Sequence, residues 1–579
     1  MKILVTGANG YIGSKVVKNL CDRNIEVIAA DIDSAHVDSR AKFVKSNVFE
    51  RKDNWMEVFN YPDVCLHLVW RDGFIHDSDK HMEDLSSHYD FLKNLIDNGL
   101  KKVVSMGSMH EVGYWEGVID ENTPCKPLSQ YGVAKNALRQ SLELYAIKNG
   151  CLFQWLRGFY IYGDDSFGNS IFCKIRKAVE NGQTEFPFTS GKNKYDFIHI
   201  DTLAEMISDC VIQNSVLGII NCCSGKPVSL GEQIEWYISQ NNLPIKLAYG
   251  KYPDRPYDSP CIYGDINKLN QVKEVLKARV FVTGVCGQLG YDVINELNRR
   301  GIFAIGSDIK NEDEIIDKAN WNEYVSLNIV DPVMVKKVLD KYKPTAIIHC
   351  AAWTNVDGAE DKNNQPIVKA INVDGTNNLV SWAKSQDAKF LYISTDYVFN
   401  GQGNKPWDPD DKAFEPLNYY GQTKLDGENI VSSLLQKYFI VRIAWAFGKN
   451  GNNFIKTMYK ASQKYDIVRV INDQIGTPTY TYDLARLVVD MILSDKYGYY
   501  HATNEGGFIS WYDLTCEIYK IAGIDTKVIP VTTSEYGKSV AKRPFNSRLN
   551  KNKLLDNGFE PLPDWRDAVK RYLDIIKNS

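Results

Sequence analysis

A tyrosine and a lysine four residues apart occur twice in this chain in similar surroundings. They are Tyr131 and Lys135 in SQYGVAK, and Tyr420 and Lys424 in NYYGQTK. On a helix this spacing puts both side chains on one face. A phenol has a pKa of ~10 and is a poor proton donor or acceptor at neutral pH, but a nearby ammonium group stabilises the phenolate and lowers that pKa. Each pair can therefore exchange a proton with an alcohol or ketone oxygen.

A hydroxyl side chain precedes each pair at the end of an apolar stretch. Ser108 ends KKVVSMGS and Thr395 ends KFLYIST. Such a hydroxyl can hydrogen-bond the same substrate oxygen as the tyrosine, while a nicotinamide moves the hydride. Ser105 is an alternative to Ser108, which is favoured because it lies just beyond the predicted strand. The predicted catalytic groups are Ser108, Tyr131 and Lys135 in one half, and Thr395, Tyr420 and Lys424 in the other.

A glycine-rich turn stands far upstream of each catalytic group, between an apolar strand and an amphipathic helix. The turns are TGANGYIG and TGVCGQLG. Glycine lets the backbone approach a pyrophosphate, and the N-terminus of the following helix attracts its negative charge. We predict that these turns bind dinucleotides, through Gly7, Gly10, Tyr11, Ile12 and Gly13 in the first and Gly284, Gly287, Gln288, Leu289 and Gly290 in the second.

An aspartate ends the next predicted strand in both halves, Asp31 in EVIAAD and Asp308 in FAIGSD. Such a carboxylate accepts hydrogen bonds from the adenosine ribose and repels a 2'-phosphate. NAD(H) is therefore favoured over NADP(H) at both sites. Lys310 lies close to Asp308 in sequence, so NADP(H) stays open as the cofactor of the second half.

The repeated motifs indicate two tandem domains. Strands alternate with helical stretches in both halves, which favours doubly wound parallel α/β sheets of the Rossmann type, each with a smaller C-terminal substrate-binding subdomain. The same motifs recur about 280 residues apart, the size of a whole domain rather than of a solenoid repeat. We place the boundary between residues 277 and 278.

Composition excludes several classes of protein. The net charge is -4 and no Lys/Arg-rich run occurs, so neither nucleic acid nor an anionic membrane is an expected partner. The apolar strand begins at residue 3, which leaves no room for a signal peptide, and no stretch reaches the ~18 apolar residues of a membrane helix. The 12 scattered cysteines indicate reduced thiols and no metal site. We expect a cytoplasmic protein, and a homo-oligomer is compatible with the sequence.

The second half resembles dTDP-4-dehydrorhamnose reductases along nearly its whole length. The resemblance rests on TGVCGQLG, HCAAWTNVDGAE, ISTDYVFNG, EPLNYYGQTKLDGE, VRIAWAFG, DQIGTPTYTYDLA and AKRPFNSRLNKNKL. It implies that Ala351 and Ala352 also line the cofactor. It further implies a substrate site for the sugar and the nucleotide diphosphate, although Trp445 could equally pack in the core and Arg548 could form a surface ion pair. The implied substrate residues are Asp396, Tyr397, Trp445, Asn453, Gln474 and Arg548.

The first half resembles the NAD-dependent epimerase/dehydratase family of extended short-chain dehydrogenases. The resemblance rests on TGANGYIG, SQYGVAK, LRGFYIYG and YPDRPYDSPCIYGD, and it implies that Arg255 meets the substrate diphosphate. Three positions depart from the family pattern. HLVWRDG replaces an alanine pair, Asp84 stands where an asparagine usually begins a helix, and Tyr160 replaces another asparagine.

The two resemblances imply a nucleotide-sugar oxidoreductase with one NAD(H) or NADP(H) per domain. The second domain would reduce the C4 ketone of a dTDP-4-keto-6-deoxy-L-hexose. The first would be a second ketoreductase of other stereochemistry, or an epimerase that oxidises its sugar transiently with a tightly held NAD. A binding or regulatory domain without catalysis is the alternative from another class, and an intact catalytic group in the first half speaks against it.

Overall fold

The computed structural model describes residues 1–73, 75–163, 170–254, 258–537 and 539–577. The chain divides into two compact units, Met1–Val275 (unit 1) and Leu276–Ser579 (unit 2). The boundary predicted from the repeats lies at the end of the helix that contains this division, Asn267–Lys277. The predicted parallel α/β fold is confirmed in both units.

Unit 1 is built on a seven-stranded sheet in which all neighbouring strands are parallel. Numbered in chain order within the sheet, the strands lie in the spatial order 3-2-1-4-5-6-7. Strand order reverses between strands 1 and 4, and sheets of this kind bind ligands at such a point, beyond the carboxyl ends of the strands. The seven strands are Lys2–Thr6, Glu26–Asp31, Lys42–Lys45, Val64–His67, Lys102–Ser108, Leu152–Gly158 and Gly218–Cys222.

The other elements of unit 1 cover this sheet and build a smaller subdomain. The helices are Tyr11–Asp22, Trp55–Val58, Lys80–Glu83, Leu85–Asp97, Gln130–Lys148, Ile171–Glu180, Ile200–Ile212, Leu230–Gln240 and Asn267–Lys277, with a 3-10 turn at Met109–Glu111. The remaining strands are Gly117–Ile119, Tyr160–Tyr162, Glu185–Pro187, Lys194–His199, Pro227–Ser229, Lys246–Ala248 and Cys261–Gly264.

Unit 2 repeats the same topology with an all-parallel sheet in the spatial order 3-2-1-4-5-6-7. Its strands are Arg279–Thr283, Phe303–Asp308, Glu323–Ser326, Ala346–His349, Lys389–Thr395, Tyr438–Ile443 and Gly498–His501. The helices of unit 2 are Gln288–Arg299, Pro332–Tyr342, Gln365–Lys369, Thr376–Gln386, Tyr419–Leu434, Phe454–Ser462, Thr481–Leu493, Trp511–Ala522, Thr533–Tyr536, Asn552–Asp556 and Trp565–Lys577.

Shorter elements complete unit 2. A π-helical turn spans Ala370–Gly375, and 3-10 turns span Glu312–Glu314, Gly358–Glu360 and Asp396–Val398. The short strands are Ala446–Phe447, Ile467–Ile471, Ile475–Gly476, Thr479–Tyr480, Asn504–Glu505, Ile509–Ser510, Lys527–Val531 and Leu562–Asp564.

Burial explains why the central strands form. Strand 1 of unit 1 and its counterpart in unit 2, KILVT and RVFVT, each have four consecutive fully buried residues, as strands covered by helices on both faces require. The helices packed on the sheets carry a buried apolar face and a polar outer face, for example Val16, Val17 and Leu20 in Tyr11–Asp22. In the described part of the chain, no helix is long and apolar enough to cross a membrane.

Candidate active sites

The first glycine of each predicted turn is required by close packing against the loop after strand 4. Gly7 has φ +69° and Gly284 has φ +70°, in the left-handed region that favours glycine. A Cβ at Gly7 would lie 2.7 Å from the backbone nitrogen of Val69, and one at Gly284 would lie 2.7 Å from that of Ala351. The turn and the loop after strand 4 therefore meet at the point where strand order reverses.

The later glycines let the helix start directly beneath the turn. A Cβ at Gly13 would lie 2.0 Å from the Gly7 carbonyl oxygen, and one at Gly290 would lie 2.3 Å from that of Gly284. The helix that follows begins at Tyr11 in unit 1 and at Gln288 in unit 2, and no described side chain caps its N-terminus. The first N–H groups of a helix have no partner within it, so each turn fits a pyrophosphate.

Asp31 and Asp308 are held in matching ways. Asp31 accepts hydrogen bonds from backbone N–H groups of Asn9 in the turn (2.9 Å) and of the next residue, Ile32 (2.7 Å). Asp308 accepts them from Cys286 in its turn (3.0 Å) and from Ile309 (2.9 Å). Each carboxylate oxygen has a second lone pair, so both aspartates can still accept hydrogen bonds from ribose hydroxyls.

The predicted catalytic group of unit 2 comes together at the carboxyl end of strand 5. The side chains of Thr395, Tyr420 and Lys424 line one cleft. Burial raises the pKa of Tyr420, and the Asp396 carboxylate raises it further. Lys424 is 3% exposed, and burial lowers its pKa to about 7. Tyr420 and Lys424 share one face of the helix Tyr419–Leu434, as the spacing predicts.

The predicted group of unit 1 comes together in the same way. Burial raises the pKa of Tyr131, and the nearby Ser108 hydroxyl acts in the opposite direction. The Lys135 ammonium donates to the Met106 carbonyl oxygen (2.7 Å) and lies 5.9 Å from the centre of the Tyr131 ring. Burial lowers the pKa of Lys135 to about 7. The alternative residue, Ser105, is fully buried, and its hydroxyl group makes no hydrogen bond within the described part of the chain.

One cleft of about 810 Å³ in unit 2 connects the dinucleotide turn to the catalytic group. It is lined by the turn and its aspartate, by the catalytic group and by part of the predicted substrate site. The predicted residues that line it are Gly284, Gly287, Gln288, Leu289, Gly290, Asp308, Ala351, Ala352, Thr395, Asp396, Tyr397, Tyr420, Lys424 and Trp445.

Three of these residues give the cleft its substrate-side character. Asp396 is buried, binds the hydroxyls of Ser547 and Thr395, and has its pKa raised by burial to about 6. The Tyr397 ring meets the Tyr420 ring edge to face at 5.9 Å. Trp445 has φ +51°, which is strained for a non-glycine residue, and its ring stacks on Trp511 at 3.7 Å. Trp445 therefore does both things the sequence left open, since it packs on Trp511 and lines the cleft.

The structure places the other predicted substrate residues of unit 2 elsewhere. The Asn453 amide begins a helix by accepting from Lys456 N–H (3.0 Å) and donates to the Tyr572 hydroxyl (2.8 Å). Gln474 donates to the Thr533 hydroxyl (3.0 Å), and Arg548 donates to the Asn546 side chain (2.9 Å). None of the three predicted residues is among the described residues that line the cleft. These hydrogen bonds are made with residues outside the lining of the cleft.

The loop after strand 4 accounts for two of the departures in unit 1. Val69 occupies the place that Ala351 has in unit 2, against the first glycine of the turn. Arg71, two residues further on, donates from Nε to the Asp84 carboxylate (2.6 Å) and pairs with it through a second nitrogen. Asp84 is therefore an aspartate because it carries the counter-charge of Arg71. Arg255, the predicted diphosphate residue, lies outside the described residues.

Aromatic and imidazole rings surround Tyr131. His76 stacks on it at 5.3 Å, and His81 and His110 meet it edge-on at 5.3 and 6.2 Å. Burial lowers the pKa of His110 to about 4, so this imidazole is neutral at pH 7. Tyr160 lies 6.4 Å from His110 and stands where Trp445 stands in unit 2, directly after the sixth strand. Tyr11 donates its hydroxyl to the Gly163 carbonyl (2.5 Å), and Ile12 follows in the first turn of the helix.

Two protein-family models match the chain, one in each half. The model of the RmlD substrate binding domain family matches residues 278–578, more than half of the chain. The chain belongs to this family. Its residues 3–223 match the model of the NAD dependent epimerase/dehydratase family. The resemblance predicted for each half is confirmed.

Individual relatives agree with this membership. A dTDP-6-deoxy-L-talose 4-dehydrogenase (NAD(+)) of Aggregatibacter actinomycetemcomitans is 42% identical over 269 residues, which are 46% of this chain and 99% of the relative. A dTDP-4-dehydrorhamnose reductase of the same organism is 34% identical over 307 residues, 51% of this chain and 97% of the relative. The crystal structure of a dTDP-4-dehydrorhamnose reductase from Clostridium acetobutylicum is 38% identical, covers 52% of this chain and 99% of that chain, and has a TM-score of 0.47.

The protein is an NAD(P)-dependent oxidoreductase. The cofactor fits both units, because each turn has the backbone space that a pyrophosphate needs and leads into a helix whose N-terminus no described side chain caps. Among the described residues, no group of three or more His, Cys, Asp or Glu side chains is placed to hold a metal ion.

Sequence reasoning missed Trp511, the three histidines around Tyr131, and the Arg71–Asp84 pair. The histidines were visible as HDSDKHME after strand 4 and as SMH after strand 5. Position after a strand end was the available signal, because these loops meet at the site. Trp511 had no such signal, because it begins a helix distant in sequence from both motifs.

Proposed function

We propose that unit 2 reduces the C4 ketone of dTDP-4-dehydrorhamnose to give dTDP-L-rhamnose. The observation that carries the proposal is the cleft that is lined by both the dinucleotide turn and the catalytic residues Thr395, Tyr420 and Lys424. The reductase of Aggregatibacter actinomycetemcomitans, which aligns over 97% of its length, supports this substrate.

The chain supplies the proton and the geometry of this reaction. Tyr420 donates its phenolic proton to the C4 oxygen, and Thr395 orients that oxygen through its own hydroxyl. The Lys424 ammonium stabilises the phenolate that remains and binds the ribose of the cofactor. The bound nicotinamide supplies the hydride that reaches C4. Asp396, Tyr397 and Trp445 line the same cleft and offer a hydrogen-bond acceptor and aromatic faces to the sugar.

We infer that unit 1 reduces the same ketone to the opposite configuration at C4, which gives dTDP-6-deoxy-L-talose. The 269 aligned residues of the talose dehydrogenase agree with the length of unit 1, Met1–Val275. L-rhamnose and 6-deoxy-L-talose differ only in the configuration at C4. The proton donor and the hydride come from the same relative positions in both units, so the residues that hold the sugar must set the product.

The walls of the two sites differ accordingly. The residues after the catalytic hydroxyl are Met109 and His110 in unit 1, but Asp396 and Tyr397 in unit 2. Unit 1 surrounds its tyrosine with imidazoles, whereas unit 2 places a buried carboxyl beside it. These differences support the proposal that the two units hold the sugar in different orientations, each against a catalytic group of the same kind.

The test is an assay with dTDP-4-dehydrorhamnose, reduced nicotinamide and three forms of the full chain: wild type, Tyr131→Phe and Tyr420→Phe. Nicotinamide absorbance follows the rate, and proton NMR identifies the C4 configuration. We expect the wild type to form both sugars, because each unit keeps its proton donor. Tyr131→Phe should form only dTDP-L-rhamnose and Tyr420→Phe only dTDP-6-deoxy-L-talose, each lost activity falling at least about 100-fold.

Three outcomes would contradict the assignment. If the Tyr420→Phe chain formed dTDP-L-rhamnose at the wild-type rate, Tyr420 would not be the proton donor of unit 2. A wild type that forms a single sugar would refute the proposal for unit 1. Conversion of a nucleotide sugar by the Tyr420→Phe chain without added reductant would instead make unit 1 an epimerase, the reaction that the NAD dependent epimerase/dehydratase family model also allows.

A further inference from the structure

The ammonium group of each catalytic lysine lies against the face of an aromatic ring. The Lys135 nitrogen is 3.7 Å from the centre of the Trp70 ring, and the Lys424 nitrogen is 4.0 Å from the centre of the Tyr392 ring. Both distances are within the ~6 Å over which a cation is attracted to the electron-rich face of a ring. Both lysines are 3% exposed, so water screens these contacts little.

The two rings reach the lysine from different strands. Tyr392 lies within strand 5 of unit 2, whereas Trp70 follows strand 4 of unit 1. The strand registers identify the equivalent positions. His349 pairs with Tyr392 in unit 2, and its counterpart His67 pairs with Ser105 in unit 1.

The two units therefore place the large residue at different positions. It follows strand 4 in unit 1 and lies within strand 5 in unit 2, and the other position holds a small residue in each unit. Unit 1 combines Trp70 with the small Ser105, and unit 2 combines Tyr392 with the small Ala352. One ring stands beneath the ammonium in each case, although the ring comes from a different strand. The exchange roughly conserves volume, so core packing alone allows it. The further observation is the position of the ring, whose centre lies 3.7 Å from the ammonium nitrogen in unit 1 and 4.0 Å from it in unit 2.

We propose that Trp70 and Tyr392 are positioning residues that hold the catalytic ammonium groups of Lys135 and Lys424 through cation–π contacts. The proposal deepens the proposed function, because it rests on the catalytic role of the two lysines. Each ring is expected to favour the charged lysine over the neutral one, since only the charged form is attracted to the ring face.

Burial works against this charge, and other groups also face the lysines. Burial lowers the pKa of both lysines to about 7. The groups that face Lys135 are the Met106 carbonyl, Glu111, Tyr131, His67 and His88. The groups that face Lys424 are Glu428, Cys350 and His349. The glutamates and the rings act in the same direction, so their shares can be separated only by changing the rings.

The experiment measures the titration of each lysine in the full chain without substrate or cofactor. The amines are labelled competitively with acetic anhydride from pH 5 to 10, and peptide mass spectrometry gives the labelled fraction of Lys135 and Lys424 separately. The variants are Trp70→Phe and Trp70→Leu in unit 1, and Tyr392→Phe and Tyr392→Leu in unit 2. The phenylalanines keep a ring face, and the leucines remove it.

We expect Trp70→Leu to lower the apparent pKa of Lys135 by roughly one unit, while Trp70→Phe changes it by less than half as much. Lys424 in the same sample should titrate as in the wild type and serves as the internal control. Tyr392→Leu should lower the apparent pKa of Lys424 by a similar amount, and Tyr392→Phe should change it by less than half as much. Lys135 is then the internal control. In the ketosugar assay, the loss of activity as pH rises should move to lower pH in the leucine variants only, because the neutral lysine then forms earlier.

Two results would overturn the proposal. The first is a Lys135 titration that is unchanged in Trp70→Leu. The second is an equal shift in Trp70→Phe and Trp70→Leu, because Trp70 also donates to His81 (3.0 Å), and both variants lose that hydrogen bond. If either leucine variant fails to fold, the phenylalanine pair and the other unit still decide the matter. Labelling needs no turnover, so its failure is separate from failure of the proposed reactions.

Discussion

Lys310 and Asp33 occupy the same position in the two units, two residues after the aspartate that is predicted to bind the ribose. Lys310 lines the cleft of unit 2, whereas Asp33 is exposed in unit 1. A 2'-phosphate on the adenosine ribose would meet a positive charge in unit 2 and a second negative charge in unit 1. We therefore expect these single side chains to give the two units different tolerance of a 2'-phosphate, although the preceding aspartates are held by matching hydrogen bonds.

This difference predicts the effect of Lys310→Glu. The variant should raise the KM for NADPH at unit 2 about 10-fold or more and leave the KM for NADH within about 2-fold, because only the phosphate is repelled. The measurement is initial-rate kinetics in the Tyr131→Phe background, which isolates unit 2. Lys362→Glu, at an exposed position of the same unit, is the matched control. An equal change in both KM values would contradict the prediction.

All the residues predicted for the cofactor and for catalysis in unit 2 line its cleft, whereas only three of the six predicted for the substrate do. The turn glycines, the two aspartates and the catalytic residues recur in both halves at fixed positions after strands, and the sheet brings such positions together. Asn453, Gln474 and Arg548 lie in connections whose path depends on packing, and each of them hydrogen-bonds a residue outside the lining of the cleft. Trp70 was visible only as a departure from an alanine, and its position beneath Lys135 depends on the small Ser105.

A lysine at the start of strand 5 binds the end of a helix in each unit. The fully buried Lys102 begins strand 5 and donates to the Cys210 (3.1 Å), Val211 (3.0 Å) and Gln213 carbonyl oxygens at the end of the helix Ile200–Ile212. The last carbonyls of a helix have no partner within it, and a cation there is also favoured by the helix dipole. Lys389, which begins strand 5 of unit 2, donates to the Ser494 carbonyl (2.8 Å) in the same way.

Lys102→Met is therefore expected to destabilise unit 1. Methionine fills the space but leaves the carbonyls without a donor, which should lower the free energy of unfolding by roughly 2–4 kcal/mol. Differential scanning calorimetry measures the effect. The neighbouring Lys101→Met removes an ion pair with Asp63 from a side chain that is 77% exposed, and should cost about 0.5 kcal/mol or less. Equal losses in the two variants would show that the buried hydrogen bonds do not matter.

At the level of elements, alternation of strands and helices predicted both parallel sheets. The conformations of the loops could not be predicted from the sequence, because they depend on contacts with elements that are distant along the chain. Asp84 shows why, because its departure from asparagine makes sense only once Arg71 is seen beside it. The short strands of the subdomains could not be predicted from the sequence either. Pairs such as Ala446–Phe447 with Thr479–Tyr480 are too short to produce a periodic pattern.

The whole molecule contains two dinucleotide sites, so we expect two NAD(H) molecules to bind per chain. Gly13→Ala and Gly290→Ala should each reduce the stoichiometry to one in isothermal titration calorimetry. The added methyl would lie 2.0 or 2.3 Å from a carbonyl oxygen of the turn, and relieving that clash should weaken the affected site roughly 10-fold or more. At Gly73 a Cβ would meet no atom within 4 Å, so Gly73→Ala should keep both sites. A single site in the wild type would contradict the interpretation of the chain as two complete modules.

The repeated strand order also affects how the chain folds. Similar domains in tandem are prone to misassembly, in which a segment of one copy inserts into the other, and VCLH and AIIH are equivalent central strands here. Each unit is continuous in sequence, so the ribosome delivers every strand of the first sheet before any strand of the second. Distinct core partners, Trp55 and Phe91 in one sheet and Trp382 and Phe390 in the other, reinforce this order. Folding during synthesis therefore protects this enzyme from a trap that refolding of the finished chain would expose.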